Sequence, residues 1–336
     1  MRRIFIDDKV KGVAQYYKDH LFEKHKDNRF VKPKDGLKAL EEDIIRNKDA
    51  WSPIWMKYAA YLRNLRTHYD NILLLRPNKF EEYHKLYFGK LDKDQLTDKK
   101  WRNKDNDISF SDKIVKIMHY TTIRSEDMIP CVKKLGIKTC VYCNAQYTNT
   151  VEIENDGSTK GRYELDHFKP KDEYPFLCIS FYNLQPCCGS CNKWKSDDPS
   201  RFNLYTEDYN ELDPFIFELT SASIVRYMLT QNSDVLEVKL KSGEAGLRDN
   251  HLELFHTEDL YKTYTDELEE LIWKYKSFND AFKNQLIGRF KKLFPLHATR
   301  NEIIRFIYNF YSNPKDVHKR PLSKLKQDVA KQLKML

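Results

Sequence analysis

The sequence predicts an α+β protein in which a small β-containing, cysteine-rich core is embedded between mainly α-helical N- and C-terminal regions. Three observations carry this. Two Cys-x-x-Cys pairs, Cys140/Cys143 and Cys188/Cys191, bracket a stretch in which extended runs flank a turn-rich segment. Apolar residues recur at helical spacing on either side of it. Finally, 336 residues with 13% aromatics can bury a substantial core despite a mean hydropathy of -0.74.

In residues 1–136, Leu37, Leu40, Ile44 and Ile45 recur at helical spacing. Ser52-Pro53 reads as a cap and first-turn pair for a helix whose buried face is Tyr58, Tyr61, Leu62 and Leu65. Residues 89–112 are polar and charged and read as a loop, after which "SDKIVKIMHY" reads as a short capped helix. In residues 137–206, "YTNTVEIE" and "GRYELDHF" on either side of "NDGSTKG" read as a hairpin. In residues 207–336, "SIVRYMLTQNSDVLEVKLKSG" reads as two strands about an Asn-Ser-Asp turn. Thr257, followed by Glu258 and Asp259, reads as the start of a long amphipathic helix. Its apolar face is Leu260, Tyr264, Leu268, Leu271, Ile272 and Tyr275.

A net charge of +8 leaves two readings open, affinity for polyanions or an ordinary Lys-rich surface. From Ala281 onward there are 13 Lys/Arg against three Asp/Glu, while Leu252–Ile272 holds seven acidic residues and one lysine. The basic end is either a phosphate-tracking surface or a helix face set against that acidic neighbour. No apolar run approaches the roughly 20 residues that span a bilayer, and "MRRIFIDDKV" lacks the apolar stretch of a signal peptide. A cytoplasmic protein without membrane contact is the expectation, and thiols there stay reduced.

In that compartment the cysteines read as metal ligands. Each pair has the two-residue spacer that lets both sulfurs of a tight turn face one cation, and four thiolates close a tetrahedral Zn²⁺ site. A redox Cys-x-x-Cys would not need the second pair. Cys131, Cys178 and Cys187 are left over and read as packing; Cys187 precedes Cys188, but only Cys188 has the right spacing to Cys191.

Between the knuckles stand Asp166, His167 and Asn183, and just past them Asn192, Lys193 and Lys195 open a predicted helix. Hydrolysis of a phosphodiester needs a base for water, which suits His, and a hard cation, which suits Asp and Asn oxygens. The string "ELDHFKPK…SFYNLQPCCGSCNKWKS", preceded by "CVYC", resembles an HNH endonuclease of the ββα-metal type in its four-cysteine, zinc-stapled form. The resemblance covers about residues 138–200. It implies two antiparallel strands joined by a long loop and followed by a helix, gripping one Mg²⁺ or Mn²⁺. It implies Asp166 and Asn192 as ligands of that ion, His167 as general base and Asn183 as the brace that orients the histidine. Lys195 is implied as a phosphate contact and Glu164 as an acidic position of less defined role. Asn192 stands where the family name has His. The string is also similar to HNH nucleases of bacterial anti-phage defence, both Septu-type, which work with an ATPase, and retron-linked. These imply nucleic acid, DNA foremost, as substrate, and an ATPase or sensor subunit as partner. The rival reading is a non-catalytic zinc module that binds nucleic acid or a partner protein. His119, His251, His256, His297 and His318 receive no role.

Overall fold

Pro33 sits in the first turn of the helix Pro33–Arg46, where its missing N–H costs nothing, and Leu37, Leu40 and Ile44 behind it are buried. Ile45, one step further round, is left 43% exposed. The structure, a computed structural model, describes residues 1–25, 29–48, 52–101, 108–154, 158–297 and 299–335. The next helix, Trp55–Thr67, starts later than Ser52-Pro53 suggests: Ile54 holds the cap position, with no side-chain cap bond. Its Tyr58, Tyr61, Leu62 and Leu65 are buried as expected, with Tyr58 against Phe110 and Tyr61 against Phe88.

Residues 89–112 are less irregular than their polarity suggests. Asp92 and Gln95 form a reciprocal capping box on a short helix, Lys93–Thr97. Ser109, two residues before the expected Ser111, caps the helix Phe110–Ile117. The part of this loop at 102–107 lies outside the described residues.

Among the described residues eight short strands pair two by two: β1 (Ile4–Phe5), β2 (Thr150–Glu152), β3 (Thr159–Gly161), β4 (Glu164–His167), β5 (Leu184–Cys187), β6 (Tyr205–Thr206), β7 (Phe215–Leu219) and β8 (Val238–Ser242). β1 and β6 are parallel and bring the N-terminal segment against the end of the central one. β2 and β3 form the expected hairpin; its turn, 155–157, lies outside the described residues. β4 does not extend that hairpin. It pairs antiparallel with β5, placing Asp166 opposite Gln185 and His167 opposite Leu184.

Two expectations for the last region fail for tertiary reasons. "SIVRYML" lies in a helix, Ser221–Thr230, not in a strand. Thr220 accepts from Ser223 N at its start, and Tyr227 is buried with its hydroxyl on Glu269 at 2.9 Å. β8 pairs instead with β7, whose residues alternate buried and exposed. The β propensity of Ile, Val and Tyr thus yields to the burial on offer. The long helix after Thr257 breaks into Thr257–Tyr261 and Thr265–Ser277, with Tyr264 non-helical between them. Leu268, Leu271 and Ile272 stay buried, whereas Tyr275 is 40% exposed.

The core is continuous, with Tyr17, Tyr58, Tyr142, Phe176, Tyr205 and Tyr261 joining residues from all three stretches. The helix Ser323–Gln332 completes the β7 edge: Phe217 N donates to Asp328 at 2.9 Å and Leu219 N to Gln332 at 3.0 Å. Here the basic and acidic segments meet through Lys326–Glu267 at 2.5 Å, while Lys324 pairs with Asp328 of its own helix at 3.0 Å, so these two lysines are not phosphate-facing. Among the described residues no helix is long and apolar enough to cross a membrane.

Candidate metal centres and active site

The first knuckle is a tight turn. Cys140 N donates to Gln146 O, Asn144 N donates to Cys140 O, and Thr139 bridges Tyr147. Asn144 takes the left-handed conformation the turn needs, φ 52°, which Asn tolerates better than most residues. Its side chain is fully buried: Nδ2 donates to Thr139 Oγ1 and Val317 O, and Oδ1 accepts from Lys324 N. Tyr261 donates to Cys143 O at 2.7 Å. The knuckle is therefore held by the C-terminal region as well as by its own backbone. The second knuckle caps the helix Gly189–Lys195.

Cys140, Cys143, Cys188 and Cys191 come together, with one sulfur from each within 4.8 Å of the others. A tetrahedral ion with 2.3 Å bonds to sulfur separates its ligands by about 3.8 Å. The four thiols fit zinc by number, chemistry and spacing. Cys131, Cys178 and Cys187 are buried outside the cluster.

β4, the loop 168–183, β5 and the helix Gly189–Lys195 form one strand–loop–strand–helix unit. Asp166, His167, Asn192 and Lys195 line one open cleft of about 370 Å³, together with Arg124, Lys171 and Lys193. Asp166 and His167 are both buried, while Asn192 is partly exposed. His167 Nε2 lies 2.9 Å from Cys178 O. A carbonyl only accepts, so Nε2 carries the proton and Nδ1 keeps its lone pair. Tyr120 lies against the imidazole with centroids 4.6 Å apart, its hydroxyl donating to Leu165 O. Burial holds the His167 pKa at about 3, against an ordinary 6.5, so the ring is neutral near pH 7.

Asp166 Oδ1 accepts from Lys195 Nζ at 3.0 Å, and Oδ2 accepts from the Tyr142 hydroxyl. Burial raises the Asp166 pKa, while the Lys195 ammonium and the Tyr142 hydroxyl oppose that shift. Lys195 is only 1% exposed and also donates to His167 O at 3.1 Å. Its ammonium, expected on phosphate, is here held in an ion pair inside the site. The arrangement suits a hard cation, since a carboxylate and an amide share one cleft and a cationic nitrogen already rests on the carboxylate. Glu164 lies at the surface, paired with Arg124 at 3.3 Å.

Asn183 is fully buried and closes the loop on itself. Its Nδ2 donates to Lys169 O and Leu177 O, both at 3.1 Å, and its Oδ1 accepts from Lys169 N at 2.8 Å. It braces the loop whose Cys178 carbonyl meets His167. Three participants escape the sequence reading. Tyr142 and Gln185 reach the Asp166 carboxylate as a hydrogen-bonded pair. His251, given no role, is buried and donates to Tyr142 O at 3.0 Å. A bulky aromatic inside a Cys-x-x-Cys turn was the one visible signal.

Comparison with known proteins gives one partial likeness. The chain is 39% identical over 62 residues to the Septu protein PtuB of Bacillus thuringiensis, covering 18% of this chain and 21% of that protein. The chain thus spans about a fifth of the length of the curated relative it matches. No family model matches the chain. No solved structure matches it either. What places the residues in relation to one another is the geometry: a four-thiol cluster fit for zinc, and beside it a cleft holding a neutral histidine and a buried carboxylate.

Proposed function

We propose that this protein is a metal-dependent HNH endonuclease that hydrolyses phosphodiester bonds of nucleic acid, DNA foremost. The observation that carries this reading is the state of His167: neutral, proton fixed on Nε2 by Cys178 O, and lining the cleft of Asp166 and Asn192. In that tautomer Nδ1 can take a proton from an attacking water without first losing one of its own. Asp166 and Asn192 would hold Mg²⁺ or Mn²⁺, which when bound polarises the phosphate and neutralises charge on the departing oxygen. Lys195 holds Asp166 in position and opposes the upward push that burial gives its pKa. Arg124, Lys171 and Lys193 supply positive charge in the same cleft for the phosphate backbone. Zinc on the four cysteines holds a unit of two four-residue strands and a seven-residue helix, too small to be stable without such a staple.

The 62-residue similarity to a Septu protein supports a setting in bacterial anti-phage defence, with an ATPase or sensor subunit as partner. Supercoiled plasmid incubated with the purified chain and Mg²⁺ or Mn²⁺ should be cut, and EDTA should stop it. His167→Ala should lower the rate by about 10³-fold with zinc content unchanged. Full cleavage by that variant would refute the mechanism. If the isolated chain is silent, the same assay on the complex purified from native cells separates a switched enzyme from a mere binder.

A further inference from the structure

Tyr142 has no part in the chemistry just described, yet it touches both metal centres. It stands inside the first knuckle between Cys140 and Cys143 and is fully buried. Its carbonyl accepts from His251 Nε2 at 3.0 Å, and its ring stacks on Phe255 with centroids 4.4 Å apart. Its hydroxyl accepts from Gln185 Nε2 at 3.1 Å and donates to Asp166 Oδ2. Gln185 is fixed in turn, opposite Asp166 across β4 and β5, with its Oε1 accepting from Leu204 N at 2.7 Å.

We propose that Tyr142 is a positioning residue through which the zinc knuckle sets the affinity of the neighbouring divalent-ion site. This rests on the nuclease reading above in taking Asp166 as an ion ligand. A carboxylate that offers one oxygen to an ion must be stopped from turning about its Cβ–Cγ bond. With Oδ2 held by the hydroxyl, Oδ1 is the oxygen left for an ion, and Lys195 is its competitor there. Without the hydroxyl the carboxylate can turn and give both oxygens to Lys195. Outer partners of this kind typically alter metal affinity by 10–100-fold when removed. Packing alone would be served equally well by phenylalanine.

The test is Tyr142→Phe in the full chain, with Mn²⁺ binding followed by electron paramagnetic resonance and the Mg²⁺ dependence of plasmid cleavage measured in parallel. Tyr261→Phe is the control, because it removes an equally buried hydroxyl from the same knuckle, bonded to Cys143 O, without touching Asp166. Tyr142→Phe should bind Mn²⁺ about 10-fold more weakly and need correspondingly more Mg²⁺ for half-maximal cleavage, with zinc retained. Tyr261→Phe should bind Mn²⁺ as the parent does. Unchanged Mn²⁺ affinity in Tyr142→Phe, equal weakening in Tyr261→Phe, or loss of zinc from Tyr142→Phe would each overturn the proposal. A parent that binds Mn²⁺ but cuts nothing, either alone or in the complex purified from native cells, refutes the nuclease reading alone, and the Mn²⁺ titration still decides on Tyr142. A parent that binds no Mn²⁺ refutes both.

Discussion

The unit that carries the candidate site and the helix Asp280–Leu293 use apolar residues in opposite ways. In the loop 175–183 and the strand β5 every residue is buried, polar ones included, and Asn183 and Gln185 have hydrogen-bond partners for both side-chain ends. The helix Asp280–Leu293 buries no residue fully, although it contains Phe282, Leu286, Ile287, Phe290 and Leu293. Just beyond it, Phe294 and Leu296 are 49% and 92% exposed. Apolar content therefore does not say where a chain is tightly determined. Closure does: a segment that must return to a fixed metal cluster and a paired strand has one arrangement, whereas a helix flanked by short connections can keep its face open.

Four experiments bear on this contrast, in descending size of effect. Cys188→Ser should remove a ligand from the four-thiol cluster, release zinc and abolish the cooperative unfolding transition; a zinc-free chain that melts like the parent would deny the cluster its structural role. Asn183→Ala removes three hydrogen bonds to the loop backbone, those to Lys169 N, Lys169 O and Leu177 O, of which Leu177 O keeps its bond from Ser180 N. It should cost about 2–3 kcal/mol in urea unfolding. An effect below about 0.5 kcal/mol would mean the loop is held by other contacts.

The third concerns acid. Burial holds His167 and His251 at about 3 and His318 at about 4, below the value of about 6.5 that each regains on unfolding. The unfolded chain thus binds more protons as pH falls through about 6.5, so stability is full above that pH and declines towards pH 4. His251→Gln can still donate to Tyr142 O and does not titrate, so its decline from pH 7.5 to 5.5 should be shallower than the parent's. Zinc release is common to both proteins, and identical slopes would remove His251 from the account. Last, Leu296→Asp should change stability by less than about 0.5 kcal/mol, because its side chain is open to water. A large loss there would show that the open face is closed in solution.

Much of the candidate site is legible in sequence because its chemistry is tied to short spacings. Two-residue spacers dictate that Cys140/Cys143 and Cys188/Cys191 each face one ion, and the four sulfurs do converge. Adjacency puts Asp166 and His167 at one strand end; the helix after them, expected to open at Asn192, begins at Gly189 and carries that amide in its middle. Burial of Tyr58, Tyr61, Leu62 and Leu65 follows from helical period alone. Where long-range burial competes with local preference, the reading fails. "SIVRYML" has strand-like residues but becomes a helix because Tyr227 finds a seat and Glu269. The helix after Thr257 breaks at Tyr264, although its period runs on.

By itself, then, the sequence determined the four-cysteine cluster and the neighbourhood of Asp166 and His167, because covalent spacing limits which atoms a tight turn or a strand end can bring together. Tertiary structure alone decided what those atoms meet. Lys195 lies on Asp166 and not on solvent, the Cys178 carbonyl selects the His167 tautomer, and Tyr142 ties the first cysteine knuckle to Asp166. Each is a contact between residues 11 to 29 positions apart, fixed by the packing of the strand pair against its loop, helix and knuckle. No local pattern encodes such a distance.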